Sequence, residues 1–188
     1  MNQITLLQNS FWVLVAVMSG VRAIAQAPAV QISQSLQIPD SLRVPTDQQL
    51  QSHLVAKGDQ IYLCHAVPGP TAFKWLLKAP EATLSNESQT VVGKHFAGPS
   101  WQMNDRSTLV GKLQAKVDAP QADAIPWLLL KVKFHYVEGA FSSVNWIQRL
   151  HTVGGKAPTD GCDRDHQDAE VRVPYTADYY FYGDAPKQ

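Results

Sequence analysis

Leu50-Gln51-Ser52-His53-Leu54, then Lys57-Gly58-Asp59, then Gln60-Ile61-Tyr62-Leu63-Cys64-His65 is the stretch on which the fold turns. Apolar and polar residues alternate on either side of a Lys-Gly-Asp punctuation, and a period of two puts one face of an extended chain toward a core. The pattern reads as strand, turn, strand. A short helix over Thr46 to Val55 competes with it, because Thr46 can cap a first turn and Leu50 and Leu54 stand four apart.

Outward from this stretch, strand-like runs recur at Ala72 to Lys78, Val91 to Phe96, Leu109 to Val117, Trp127 to His135, Val144 to Leu150, Glu170 to Val173 and Asp178 to Tyr182. Between them stand Pro68-Gly69-Pro70, Ala79-Pro80, Gly98-Pro99, Ala119-Pro120, Gly139 and Gly154-Gly155, which break regular structure through a fixed or a freely positive φ. Many short strands with turn signals between them predict a mostly antiparallel all-β domain, a β-sandwich or barrel with long Pro/Gly-rich loops. No sustained helical period supports βαβ units, and neither GxGxxG nor GxxxxGK[ST] occurs, so nucleotide chemistry on the usual folds is not expected. No internal repeat is visible.

Composition fits that reading. The 188 residues are 45% hydrophobic and 17% charged, with 12 Pro, 11 Gly and 5 Trp, which suits short strands around an aromatic core. Sixteen basic and sixteen acidic side chains give zero formal charge, and no run of one sign offers a nucleic-acid surface. Phe11 to Met18 is an apolar run too short to span a bilayer, and small residues ending Ala23-Ile24-Ala25 follow it, so residues 1–25 read as a secretory signal peptide. Its removal takes one arginine and no acid, leaving a charge of −1 and no other apolar run long enough to span a bilayer. Residues 26–45, with spaced prolines, are expected to form an extended lead-in that wraps the surface of a single β domain over 46–188. A secreted or periplasmic location follows.

An export-routed chain with two cysteines, Cys64 and Cys162, allows one pairing. Closing that loop is worth about 4 to 5 kcal/mol in the chain-entropy treatment. The alternatives are two buried thiols or a catalytic thiol, for which no Cys-His signature is present.

A series of unusual words carries a family resemblance: Ala79-Pro80-Glu81-Ala82 with Leu84, and Gly93-Lys94-His95-Phe96-Ala97-Gly98-Pro99-Ser100-Trp101. Ile125-Pro126-Trp127-Leu128-Leu129-Leu130, Ile147-Gln148-Arg149-Leu150, Thr152 with Gly154-Gly155, Ala157-Pro158 and Val173-Pro174-Tyr175-Thr176-Ala177-Asp178-Tyr179-Tyr180-Phe181-Tyr182 continue it. Over roughly Ile38 to Tyr182 the chain resembles the secreted domain-of-unknown-function family 3455 of bacteria and fungi. The resemblance implies a small exported protein and carries over no catalytic residue, because the activity of that family is not established. Some fungal relatives bear a malate-dehydrogenase name, but nothing in this chain is built to bind a dinucleotide. The family pattern has Asp-Gly-Ser where this chain has Asp105-Arg106-Ser107, which puts a tight glycine turn in question. The glycine-rich turn before Phe141 is also altered, to Glu138-Gly139-Ala140.

Candidate chemistry is sparse. His95 could act as general base or metal ligand, with Asp105 or Glu81 as the carboxylate that fixes its tautomer, in a hydrolase needing no metal. Equally, it could bond a backbone carbonyl at a strand end and pack on Trp101, and a lone histidine without a second ligand nearby favours that role. The six histidines are scattered and HExxH is absent, so no metal or cofactor is expected. Asp163 to Glu170 lacks the central glycine of a calcium loop and reads as a solvated loop beside the disulfide. Ser100 and Ser107 sit in no GxSxG elbow.

Trp101, Arg149 and Tyr175 are the candidate binding residues, the aromatics as a stacking surface and the guanidinium as a polar anchor. Along the terminal strand Tyr180 and Tyr182 should oppose Tyr179 and Phe181. Asn86-Glu87-Ser88 is a glycosylation sequon that matters only in a eukaryotic source. The leading expectation is therefore a ligand-binding module, carbohydrate or cell-wall fragments included, with its cleft between the Gly93 to Asp105 segment and Pro174-Tyr175. A hydrolase and a structural envelope or matrix protein are the alternatives.

Overall fold

The alternation that singled out Leu54 also phases Ala56, Gly58 and Gln60, and an extended chain carrying all four on one face has no reason to turn at Gly58. In the computed structural model, which describes residues 37–69 and 73–186, it does not turn. A single strand β1 runs from Gln48 to Ala66, followed by β2 Phe73–Ser85, β3 Val91–Phe96, β4 Ser100–Met103 and β5 Thr108–Val117. Then come β6 Trp127–Tyr136, β7 Val144–Gly154 and β8 Glu170–Asp184. Each pairs antiparallel with the next, and β8 returns to β1, so the eight strands close an up-and-down barrel. Of sandwich and barrel, the barrel forms, and closure leaves no unpaired sheet edge.

The expected turn at Lys57-Gly58-Asp59 and the helix over Thr46 to Val55 are both replaced by β1. Glycine stands at 58 because β2 crosses there: a Cβ would meet the Glu81 carbonyl oxygen at 2.1 Å and the Ala82 Cα at 2.5 Å. Ala79-Pro80 likewise marks no turn. It lies inside β2 beside the register shift between Ile61 and Tyr62, where a missing amide is tolerated. Pro174 sits inside β8 one residue beyond the end of its ladder with β7, so the runs expected at 170–173 and 178–182 are one strand. β4 falls outside the expected runs.

An eight-stranded barrel has an interior just wide enough to be filled by side chains or to hold one small ligand. This one is filled by side chains at one end and leaves a cavity at the other. At the lower end, where both termini of the barrel lie, Leu54, Leu84, Leu109, Val144, Ile147 and Phe181 make a dry core. Phe141, from the loop between β6 and β7, closes that end against Phe181 with ring centroids 4.7 Å apart. Charged side chains such as Lys57, Lys112, Lys131 and Lys133 stand on the outer face, the reverse of a lipid-facing barrel.

Residues 37–45, the described part of the lead-in, pack against the outside of the barrel. A 3-10 turn, Asp40–Leu42, delivers Leu42 into a second apolar cluster with Trp127, Leu129 and Leu150 on the outer face of β6 and β7. The buried Gln148 amide donates to the Leu42 carbonyl at 2.6 Å, fixing the turn there. Cys64 and Cys162 form the disulfide, with Cα atoms 5.3 Å apart, and tie the long β7–β8 loop to β1. Among the described residues no helix is long and apolar enough to cross a membrane. The segment read as a signal peptide, 1–25, lies outside the described residues.

Candidate functional site

At the upper end the barrel core is not filled. A cavity of about 320 Å³ opens there, and every strand contributes to its wall: Gln60 from β1, Leu77 and Pro80 from β2, His95 from β3, Trp101 from β4, Leu113 from β5, Leu128 and Leu130 from β6, Arg149 from β7 and Tyr179 from β8. Leu77 and Leu113 are 57% and 49% exposed, so the rim offers apolar surface to solvent. Room for the widest wall residue comes from Gly111, whose Cβ would meet the Trp101 ring at 3.1 Å.

His95 is buried face to face with Trp101, ring centroids 4.5 Å apart and planes at 15°, and Tyr179 packs against both rings. Its Nδ1 lies 2.8 Å from the Ser100 carbonyl. A carbonyl only accepts, so Nδ1 carries the proton and Nε2 keeps its lone pair. Burial holds the imidazole neutral, with its pKa pushed down to about 3; the Ser100 carbonyl opposes the shift and the Arg149 charge adds to it.

Arg149 is in phase with Ile147 on β7, which aims a guanidinium into the barrel. Nε and Nη2 donate to the Pro126 carbonyl at 3.1 and 2.9 Å. The charge is felt across the upper interior: it pulls the phenols of Tyr62, Tyr175 and Tyr179 downward, against the larger upward push of burial. Tyr175 is buried beside Gln60 and Tyr179. With Pro174 it also borders a separate, more open depression lined by Lys57, Asp59, Val153 and Thr176. Gln60 Nε2, Trp101 Nε1, Tyr175 Oη and Tyr179 Oη are buried without a well-aligned hydrogen-bond partner, although Tyr175 lies close enough to Gln60 and Tyr179, and Tyr179 to Arg149, for these groups to interact.

The carboxylates considered as partners for His95 lie elsewhere. Asp105 is in the β4–β5 turn at the lower end, where it accepts from Ser107 N at 2.8 Å, Ser107 Oγ at 2.6 Å and Ala140 N at 2.8 Å. These bonds, the Ser107 hydroxyl first, hold its carboxyl below the usual range and fasten the loop that carries Phe141. Glu81 faces outward and takes Arg172 Nη2 at 2.6 Å. Ser107 is committed to Asp105, and the Ser100 carbonyl to His95. Asn86 lies in the β2–β3 turn, its side chain accepting from Thr90 N at 3.0 Å. Asp163 caps the short turn Arg164–His166 beside the disulfide. Among the described residues no group of three or more His, Cys, Asp and Glu could hold a metal ion.

Of the residues singled out from the sequence, the structure therefore brings Trp101, Arg149 and His95 to one cavity, places Tyr175 behind its wall, and puts Asp105 and Glu81 outside it. Gln60 and Tyr179 were missed as site residues. A polar side chain in phase with Leu54 and Ala56 was the available signal for Gln60.

A family model described as a protein of unknown function (DUF3455) matches residues 45–183. No curated protein and no solved structure matches the chain.

Proposed function

The chain belongs to this family of proteins of unknown function, and on that premise we propose that it is an exported binding protein whose upper barrel interior takes up one small ligand. The observation that carries the reading is the convergence of all eight strands on one cavity with apolar walls and a few polar side chains, Gln60, His95 and Arg149 among them. That is the composition of a small-molecule site, where apolar surface supplies affinity and sparse polar groups set orientation. A calyx of this volume suits a compact molecule better than a glycan chain, which needs an open groove. Export is supported by the disulfide, which persists in oxidising compartments.

Catalysis has less behind it. His95 has no carboxylate partner among the described residues: its Nδ1 donates to the Ser100 carbonyl, which orients the ring but does not offset the charge of an imidazolium as a carboxylate would. With its pKa near 3, the buried ring is also a weak base at neutral pH.

Thermal shift of the disulfide-bonded protein against small aromatic and aliphatic compounds, sugars and cell-wall fragments tests the reading. A ligand at about 100 times its Kd stabilises the native state by about 2.7 kcal/mol. Leu113→Trp at the rim, where the side chain is half-exposed, should block the shift and leave the unliganded melting temperature near that of the parent. Absence of a shift with every class would move the assignment to a structural role or a protein partner.

A further inference from the structure

The charge and hydrogen-bonding character of the cavity go further than its shape. Arg149 has no ion-pair partner among the described residues. The other cation on the wall, Lys78, turns its ammonium to Glu170 at 2.5 Å. An inward guanidinium in an apolar setting is costly unless an anion faces it. Pro126 accepts from Nε and Nη2 and so fixes the guanidinium plane, leaving Nη1 and the second Nη2 hydrogen as a fork whose near neighbour on the protein is the Tyr179 hydroxyl. Such a fork matches the two oxygens of one carboxylate.

The wall carries donors besides the guanidinium. Gln60 Nε2 and Trp101 Nε1 can only donate, and the Tyr179 hydroxyl can donate. The wall also carries acceptors, His95 Nε2, the Gln60 amide oxygen and the Tyr179 hydroxyl oxygen, so the guanidinium is what sets a preference for a negative head group. Resting on the binding reading above, we infer that the ligand is a small monocarboxylate with a flat or short apolar body, its head group on the Arg149 fork and its body against Trp101, Leu128 and Leu130. One cation facing the cavity calls for one negative charge, which disfavours dianions. About 320 Å³, at the low end for ligand pockets, limits the body to a single ring or a short chain.

The test compares acid and amide pairs of one shape, benzoate with benzamide and hexanoate with hexanamide, titrated into the disulfide-bonded protein and read by tryptophan fluorescence. The carboxylates should bind about tenfold or more tighter than their amides, the span of a charge-assisted hydrogen-bond pair. Arg149→Gln should erase that preference while keeping amide binding, and Arg149→Lys should keep part of it. Equal binding of acid and amide by the unmodified protein would overturn the carboxylate assignment and leave the cavity reading standing. No binding of either, in a protein whose near-ultraviolet spectrum is native, would overturn both. Because the acid–amide comparison is made on the unmodified chain, it decides even if Arg149→Gln does not fold.

Discussion

Lowering the pH from about 7 to about 5 titrates the unfolded form of His95 but not the folded one, and the cost can be worked from the structure. An unfolded-state imidazole ionises near 6.5, whereas burial pushes the folded group down to about 3. Below about 6.5 the unfolded chain therefore binds a proton that the native protein refuses, so the unfolded state gains stability as the pH falls. Native stability is unaffected by this group above that pH and falls through the window from about 6.5 to about 3 at up to about 1.4 kcal/mol per pH unit. Between pH 7 and 5 the loss is about 2 kcal/mol, and over the whole window it approaches 4–5 kcal/mol. His95→Asn is the comparison, since an asparagine amide places a donor where Nδ1 stands and does not titrate. Urea unfolding followed by tryptophan fluorescence should show the parent losing about 2 kcal/mol more than His95→Asn over this range, at unchanged m-value. The exposed histidines are common to both proteins and cancel. The carboxyls of Asp105, Asp163 and Glu170, held below their usual range by hydrogen bonds, lose their contribution only as the pH falls further. Parallel stability curves for the two proteins would refute the buried, neutral imidazole and the tautomer derived from it.

Other consequences concern the frame around the cavity. Arg106 adopts φ 71° in the β4–β5 turn, so Arg106→Gly should relieve about 1–2 kcal/mol of left-handed strain and return part of it as unfolded-chain entropy. A net gain of about 0.5–1 kcal/mol in denaturant unfolding is expected, and a loss would show that the arginine side chain stabilises the turn. Gly58→Val should cost several kcal/mol, or prevent folding, because its side chain would run into the β2 backbone at Glu81 and Ala82. A neutral result would mean that β1 and β2 do not cross as closely as described. Cys64→Ser should lower stability as much as Cys64→Ser with Cys162→Ser, by up to about 4–5 kcal/mol for so long a loop. A free thiol in the oxidised native protein would refute the pairing.

Much of the fold was legible as local pattern. Val91–Phe96 coincides with β3, and the runs at 109–117, 127–135 and 144–150 mark β5, β6 and the first part of β7. Alternation placed Tyr179 and Phe181 opposite Tyr180 and Tyr182, and the first pair is inside the barrel. What misled was punctuation. Gly58, Pro80 and Pro174 stand at a close crossing, a register shift and a ladder end, and a glycine or proline at such places looks in the sequence like one in a turn. β4, four residues long behind Gly98-Pro99, is too short to show a period.

The site was legible residue by residue but not as a site. Trp101, Arg149 and His95 stand out by chemical type, yet their meeting depends on closure of eight strands, a long-range property no local window contains. The separation of His95 from Asp105 and Glu81 is of the same long-range kind. Asp105 is ten residues from His95 in sequence but belongs to the turn at the opposite end of the barrel, and Glu81 differs from its neighbour Ala82 by one step of the strand period, which turns it to solvent. Conversely, the departure at Arg106 was visible in the sequence, and the structure keeps the turn at the cost of a positive φ.

The measurement closest to the central claim is a nitrogen–proton correlation spectrum of the disulfide-bonded protein, recorded with and without benzoate, with the tryptophan indole signals assigned. Trp101 Nε1 is buried at the cavity without a partner, whereas Trp75 Nε1 donates to the Asp160 carbonyl outside it at 2.8 Å. Binding in the upper barrel interior predicts a saturable shift of the Trp101 indole and the Arg149 Nε signals with Trp75 unmoved. Saturable shifts elsewhere with Trp101 and Arg149 unchanged would contradict the account.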